Sequence, residues 1–497
     1  MINLVASDEL VEGDVSSNTV VEVDYDELIP NNVDLSNDPQ LKKALEYWQP
    51  KFVEWWNDAG PENSEELEVY LRTAVGVDPK GWAKFGHVKM PEYRWGILLA
   101  PKENGRTIPF GKHKGEPVWQ DVPGEYRSLL RRLLVVQGDT EPASVEQQRF
   151  LAQSAPSLYD MRNLYQVNVE EGRHLWAIVY LLVKYFGRDG RSEAEGLLQR
   201  RSADEDRPRI LGAFNEETPD WLSFFMFTYF TDRDGKMQLE SLAQSGFDPL
   251  SRTCRFMLTE EAHHMFVGDT GISRVIQKTC EVMKSAGITD VNDVEAVRSL
   301  GLIDLPTLQK KVNFHAAVTY DLFGSELSTN AASSFTAGIK GRFSETNIDD
   351  DHILTDSVYP VDQVVDGKVQ TFSEPALNSI NSRLLDDYIV DAEVGIRRWN
   401  KLIKRAGFDF VITMPYKGFN RRVGVFAEFN ITPKGEVVSP QQWDIESSDW
   451  LCSQADGDYI RSLMKPCREK GQYANWIAEP RAGINNQEND FEYVKIA

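Results

Sequence analysis

The chain has 497 residues, of which 41% are apolar and 11% aromatic, enough for a large core and against global disorder. Asp and Glu number 77 against 54 Lys and Arg, a net charge of −23 that disfavours nucleic acid and anionic membrane as partners, since both need a basic face. The longest uninterrupted apolar run, Leu175 to Val183, is nine residues and too short to span a bilayer. With no basic-then-apolar leader in view, a globular cytoplasmic protein is expected. The four cysteines form no C-x-x-C, which excludes a disulfide scaffold and a cysteine-held iron–sulfur cluster. No G-x-G, Walker A or G-x-S-x-G motif occurs, so no bound flavin or nicotinamide is expected. Any redox work would draw its electrons from another protein.

In chain order, residues 1–36 read as an acidic extended arm, because the first 41 residues hold ten acids and neither Lys nor Arg. Residues 37–135 read as an N-terminal accessory helical region. Short helices there alternate with turns such as Asp78-Pro79-Lys80-Gly81, and Trp48, Trp55, Trp56, Trp82 and Trp95 supply a packed layer. Residues 136–345 read as a helical bundle. Its long patterns cover Ser157 to Phe186, ending near Gly187, then Trp221 to Thr231, Thr253 to Lys284 and Leu305 to Leu322. Residues 346–497 form a C-terminal extension: an acidic loop at Asp349-Asp350-Asp351, a helix over roughly 375–406, and a small β-hairpin. The hairpin strands are Phe408 to Thr413 and Arg422 to Ile431, around a loop containing Gly418.

Two E-x-x-H motifs fall on the two longest helical patterns, Glu171-Gly172-Arg173-His174 and Glu261-Ala262-His263-His264. Three residues turn 300° on an α-helix, so carboxylate and imidazole sit about 60° apart on one face. A single such motif is weak; two, each preceded by a lone acid at a helix-hairpin distance, describe two related helix pairs. Glu141 lies 30 residues before Glu171, and Asp232 lies 29 before Glu261. This is the donor pattern of di-iron carboxylate bundles. Four carboxylates and two imidazoles make an oxygen-rich shell that favours iron or manganese over zinc or copper.

Register matters in the second motif, where Glu260-x-x-His263 also fits. Ile272, Val275 and Ile276 share a helical face with Glu261 and His264, whereas the same steps from Glu260 meet Gly271 and Arg274. That leaves His263 as a supporting or structural residue. The first acid stays open between Glu141, beside Pro142, and Glu146. Gln137, one turn before Glu141, could bring its amide to the site.

Several stretches resemble the benzoyl-CoA 2,3-epoxidase family, the oxygenase components of aerobic benzoate degradation and ferritin-like di-iron carboxylate proteins. They are Gln137 to Ser144, Asn168 to Trp176, Thr231 to Gly235 and Leu258 to His264, and the similarity runs from about Ile29 to the C-terminus. The resemblance implies a mainly α fold, a ferritin-like di-iron four-helix bundle with an N-terminal helical layer and a C-terminal α+β extension. It implies two iron ions held by Glu141, Glu171, His174, Asp232, Glu261 and His264, preferring Glu141 over Glu146. The four carboxylates would also act in catalysis. It further implies insertion of one atom of O2 across C2–C3 of benzoyl-CoA, with electrons from NADPH through a separate flavin and iron–sulfur reductase.

The anionic CoA moiety would need a local basic patch. Arg131-Arg132, Arg200-Arg201, Arg397-Arg398 with Lys401 and Lys404, and Arg421-Arg422 are candidates, each also readable as a solvated face. Competing readings are a hydroxylase of another acyl thioester, a radical-generating subunit using Tyr165 or Tyr229, and a non-catalytic iron-binding helical protein.

Overall fold

Four helices carry the predicted site residues: α2 (Arg127–Gln147), α3 (Leu158–Gln199), α4 (Trp221–Ala243) and α5 (Asp248–Ala286). Among the described residues there are seven others: α1 (Pro39–Ala59), α6 (Val294–Ser299), α7 (Leu305–Tyr320), α8 (Thr329–Thr336), α9 (Ile380–Ala406), α10 (Pro440–Trp450) and α11 (Gln454–Leu463). This computed structural model describes residues 3–6, 28–62, 67–90, 96–342, 357–481 and 494–496. The chain is 56% helix and 10% strand, which bears out the mainly α class.

The start signals are local. Ser157 caps α3 by accepting from the Asp160 backbone, Asp220 caps α4 by accepting from Ser223, and Gly287 closes α5 in the left-handed conformation. Helix α3 does not stop near Gly187 as expected. That glycine takes φ +61°, kinks the helix, and lets it run on to Gln199.

The long helices pair as antiparallel hairpins. Gln148 meets Asn168, Glu141 meets His174 and Gly138 meets Ile178, so α2 descends α3. Likewise Gly235 faces Glu261 and Gly271 packs against Phe225, so α5 returns along α4. Every residue of α3 from Leu158 to Val183 and of α4 from Trp221 to Asp234 is buried. Helices α7 and α9 cover α4 from outside: Tyr388 donates to the Phe230 carbonyl and Tyr229 to that of Ala392. Glu141 therefore belongs to a bundle helix that begins at Arg127, inside the stretch expected to be accessory.

The N-terminal region is only partly helical. Beyond α1 it holds an antiparallel hairpin of β3 (Leu67–Val77) and β4 (Ala83–Met90), which the helical-layer expectation missed. Val69, Leu71 and Thr73 point inward with half-buried Glu68, Tyr70 and Arg72 between them, a period of two that overrides the helix reading before the irregularity at Ala74 to Gly76. Strand β9 (Val494–Ile496) adds to β3, and β1 (Asn3–Ala6) pairs parallel with β2 (Leu28–Asn31). The expected arm falls mostly outside the described residues, but Ile29, Val33 and Leu35 are buried in the core.

The C-terminal hairpin is also elsewhere. It is β5 (Val358–Val365) with β6 (Lys368–Pro375), ahead of α9 rather than after it. Asp366 and Gly367 both take positive φ, the two-residue turn that an Asp-Gly pair between β-branched runs favours. Of the expected strands, Phe408–Thr413 is irregular, and only Asn430–Ile431 (β7) pairs, with Val437–Val438 (β8). The Asp349-Asp350-Asp351 loop lies outside the described residues.

Candidate metal centre

Glu141 from α2, Glu171 and His174 from α3, Asp232 from α4, and Glu261 and His264 from α5 converge in the bundle interior, each at most 6% exposed. Donor atoms of Glu141, Glu171 and His174 lie within 4.8 Å of one another, and so do those of Glu171, Asp232 and His264. Glu171 belongs to both groups. The two imidazole centroids are 6.2 Å apart.

Each imidazole turns Nδ1 inward. His174 Nδ1 is 3.3 Å from Glu141 Oε2 and 3.8 Å from Glu171 Oε2; His264 Nδ1 is 3.5 Å from Glu171 Oε1 and 3.7 Å from Asp232 Oδ2. Both Nδ1 atoms and Asp232 Oδ2 are buried without a hydrogen bond. Buried polar atoms are normally satisfied, and here the orphans point at one another.

Each Nε2 turns outward to a carboxylate of the opposite hairpin. His174 on α3 meets Glu260 of α5 at 3.0 Å, and His264 on α5 meets Glu170 of α3 at 3.0 Å. A carboxylate only accepts, so in the neutral imidazole this crossing puts the hydrogen on Nε2 and leaves the Nδ1 lone pair facing the centre, free to bind a cation. Glu260 is further held by Arg173, whose guanidinium also reaches Thr73 and the Ala74 carbonyl on β3. Glu170 accepts from Gln166 at 3.1 Å. Sequence reasoning missed Glu170 and Glu260. The signal was present, since both motifs read Glu-Glu-x-x-His.

The electrostatics mark a site short of positive charge. Burial, with Glu141 and Glu261 nearby, pushes Glu171 well above the usual carboxylate range, and burial with Glu261 raises Asp232 to about 8. Burial opposes a charged His174, but its contacts to Glu141 and Glu260 outweigh this and hold it up at about 9. Each of the four carboxylates pairs only weakly, at 3.3 to 3.8 Å, with an imidazole. Two divalent cations would neutralise four carboxylates and engage the orphaned Nδ1 and Oδ2 atoms, so the donor set fits them.

The other predicted residues separate clearly. Gln137 donates to Glu141 Oε1 at 3.0 Å. Glu146 points away, bonded to Trp55, Ser202 and Arg209. His263 faces a different cavity, and burial depresses it to about 4. The Tyr229 hydroxyl is taken by Ala392 on α9, turned from the cluster.

A cavity of about 300 Å³ opens on the carboxylate side, lined by Glu141, Glu171, Asp232 and Glu261 and by Leu133, Leu211 and Phe214. Leu133, Gln238, Leu322 and Lys340 also border a larger groove of about 940 Å³ toward α8 and α9.

No family model matches the chain. It is 61% identical over 474 residues to benzoyl-CoA oxygenase component B of Aromatoleum evansii, an alignment covering 95% of this chain and all of that protein. The chain belongs to the benzoyl-CoA oxygenase component B family. Membership in this oxygenase family agrees with a buried carboxylate–imidazole cluster on paired helices. No helix among the described residues is long and apolar enough to cross a membrane.

Proposed function

We propose that this chain is the oxygenase component of a benzoyl-CoA epoxidase, holding two iron ions between Glu141, Glu171, His174, Asp232, Glu261 and His264. The observation that carries the reading is the crossed arrangement of the two Glu-Glu-x-x-His segments, which turns both Nδ1 atoms toward Glu171, Glu261 and the two acids from α2 and α4, Glu141 and Asp232. When bound, the iron pair supplies O2 activation: two electrons and two protons reduce one oxygen atom to water while the other joins C2 and C3 of the ring.

The protein's own groups do the rest. Glu260 and Glu170 fix the imidazole orientation, and Gln137 holds Glu141 by one oxygen. Leu133, Leu211 and Phe214 give the aromatic ring an apolar seat against the carboxylates and exclude water. The larger groove gives the thioester's long chain a way out, with Arg383 and Arg397 along its wall. Electrons come from a separate flavin and iron–sulfur reductase that oxidises NADPH, in keeping with the missing nucleotide motifs, and the expected setting is the cytoplasm.

The test is a single turnover. Iron-loaded protein is reduced chemically, mixed with benzoyl-CoA and air, and the thioester is weighed by mass spectrometry. A product one oxygen atom heavier supports the reading. Unchanged thioester with O2 consumed removes the substrate assignment, and protein that retains no iron removes the centre.

A further inference from the structure

Six residues line both the cavity beside the carboxylate cluster and the larger groove, and so form a collar where the two spaces meet: Leu133, Gln238, Leu322, Asn330, Ser334 and Lys340. A molecule that fills both spaces at once must pass its middle through this collar. Lys340 is the one charged residue of the six. The turn after α8 that carries it is pinned to α4 and to the connection that follows: Gly341 donates to the Ser241 carbonyl at 2.9 Å, and Gly246 donates to that of Gly338 at 2.8 Å.

The side chain is aimed as well as placed. Lys340 Nζ donates to Gln238 Oε1 at 2.5 Å, and the Gln238 amide donates in turn to Asp234 Oδ1 at 2.9 Å, one turn back along α4. An ammonium has three N–H groups, and among the described residues Lys340 gives only this one and forms no ion pair. Burial draws it below the ordinary lysine range, yet charged or neutral the nitrogen keeps a hydrogen to give. A lysine that merely braced Gln238 would account for one of these hydrogens and not for its place at the junction of two cavities.

We propose that Lys340 binds the acyl carbonyl of the substrate, so that the collar selects an aromatic acyl thioester over other aromatic groups carried on the same long chain. This rests on the oxygenase reading, in which the ring occupies the smaller cavity and the chain the groove. The thioester carbonyl then lies between them, and it only accepts, so a spare donor at the collar is its complement. C2–C3 is the ring edge beside the carbon that bears this carbonyl. Fixing the carbonyl therefore sets how far that edge reaches toward the carboxylate cluster.

The test compares two ligands on full-length, iron-loaded protein kept free of O2, by isothermal titration: benzoyl-CoA and S-benzyl-CoA, the thioether in which a methylene replaces the carbonyl. Wild type should bind benzoyl-CoA about tenfold or more tighter, the worth of a hydrogen bond from a charged donor. Lys340→Met, of similar length and without a donor, should bind the two ligands alike and keep the wild-type affinity for S-benzyl-CoA. Gln238→Leu cuts the tether and leaves the amine, so part of the preference should go, which answers the question even if Lys340→Met does not fold. A wild type without preference, an unchanged preference in every folded variant, or equal weakening of both ligands by Lys340→Met overturns the proposal, the last by showing a brace only. A wild type that binds neither ligand removes the oxygenase reading together with it, whereas discrimination that survives Lys340→Met removes the role of Lys340 alone.

Discussion

Replacing Glu260 with Gln keeps the shape of the side chain and removes its charge, and the structure gives the consequences separately for stability and for metal. Arg173 and Glu260 are 1% and 0% exposed, so the pair has no solvent to fall back on. Breaking a buried pair from one side leaves an uncompensated ion and costs about 3–5 kcal/mol. The same change weakens the acceptor for His174 Nε2, and loss of such an outer partner lowers metal affinity by roughly 10–100-fold. Glu170→Gln is the internal control. It weakens the equivalent support of His264, but the residue that donates to Glu170 through its amide is neutral Gln166. It should therefore match Glu260→Gln in metal affinity and cost less in stability. Urea denaturation of the metal-free variants and chelator competition on the loaded ones separate the two effects. Wild-type affinity in both variants would refute the crossed-support reasoning.

His264→Ala should lose one or both metal ions per chain while His263→Ala keeps its full complement, read by elemental analysis; the reverse would invalidate the register. Gly268→Ala would drive a methyl into the Tyr229 backbone nitrogen and sit 2.7 Å from the Phe225 carbonyl. The α4–α5 hairpin should lose about 1–3 kcal/mol, measured by thermal unfolding. His315 is buried on α7 and, by burial, depressed to about 3. Its folded pKa lies below the unfolded value near 6.5, so the unfolded state binds the extra proton between these values. Stability is full above pH 6.5 and falls as the pH drops toward 3. His315→Phe should flatten that part of the curve; an unchanged pH dependence would show that His315 does not carry it.

The parts of the molecule legible in sequence were those written locally. Two Glu-x-x-His segments on long apolar patterns, with acids 30 and 29 residues upstream, identify six residues on four helices that the structure does bring together. The choice of Glu261 over Glu260 followed from which residues share the face of Ile272 and Val275. What remained hidden depends on contacts between elements. Glu260 could be placed off the inner face but not assigned to His174, because that pairing exists only once the hairpins dock. The β3–β4 hairpin hid for another reason: a Pro/Gly turn and mixed polarity disguised a strand whose outward residues are half-buried. At Asp366-Gly367 the turn signal was plain, and the strands beside it were sought too far along the chain.

The exchange of carboxylates between α3 and α5 also bears on how the protein comes together. Neither hairpin can orient its own imidazole, because each borrows the anion that does so from the other. A chain severed in the connection at residues 200–220 would yield two halves, each with one histidine lacking its brace. The centre is thus a property of assembly: it is complete only when the two hairpins are docked, and any ion it holds fastens the first half of the bundle to the second.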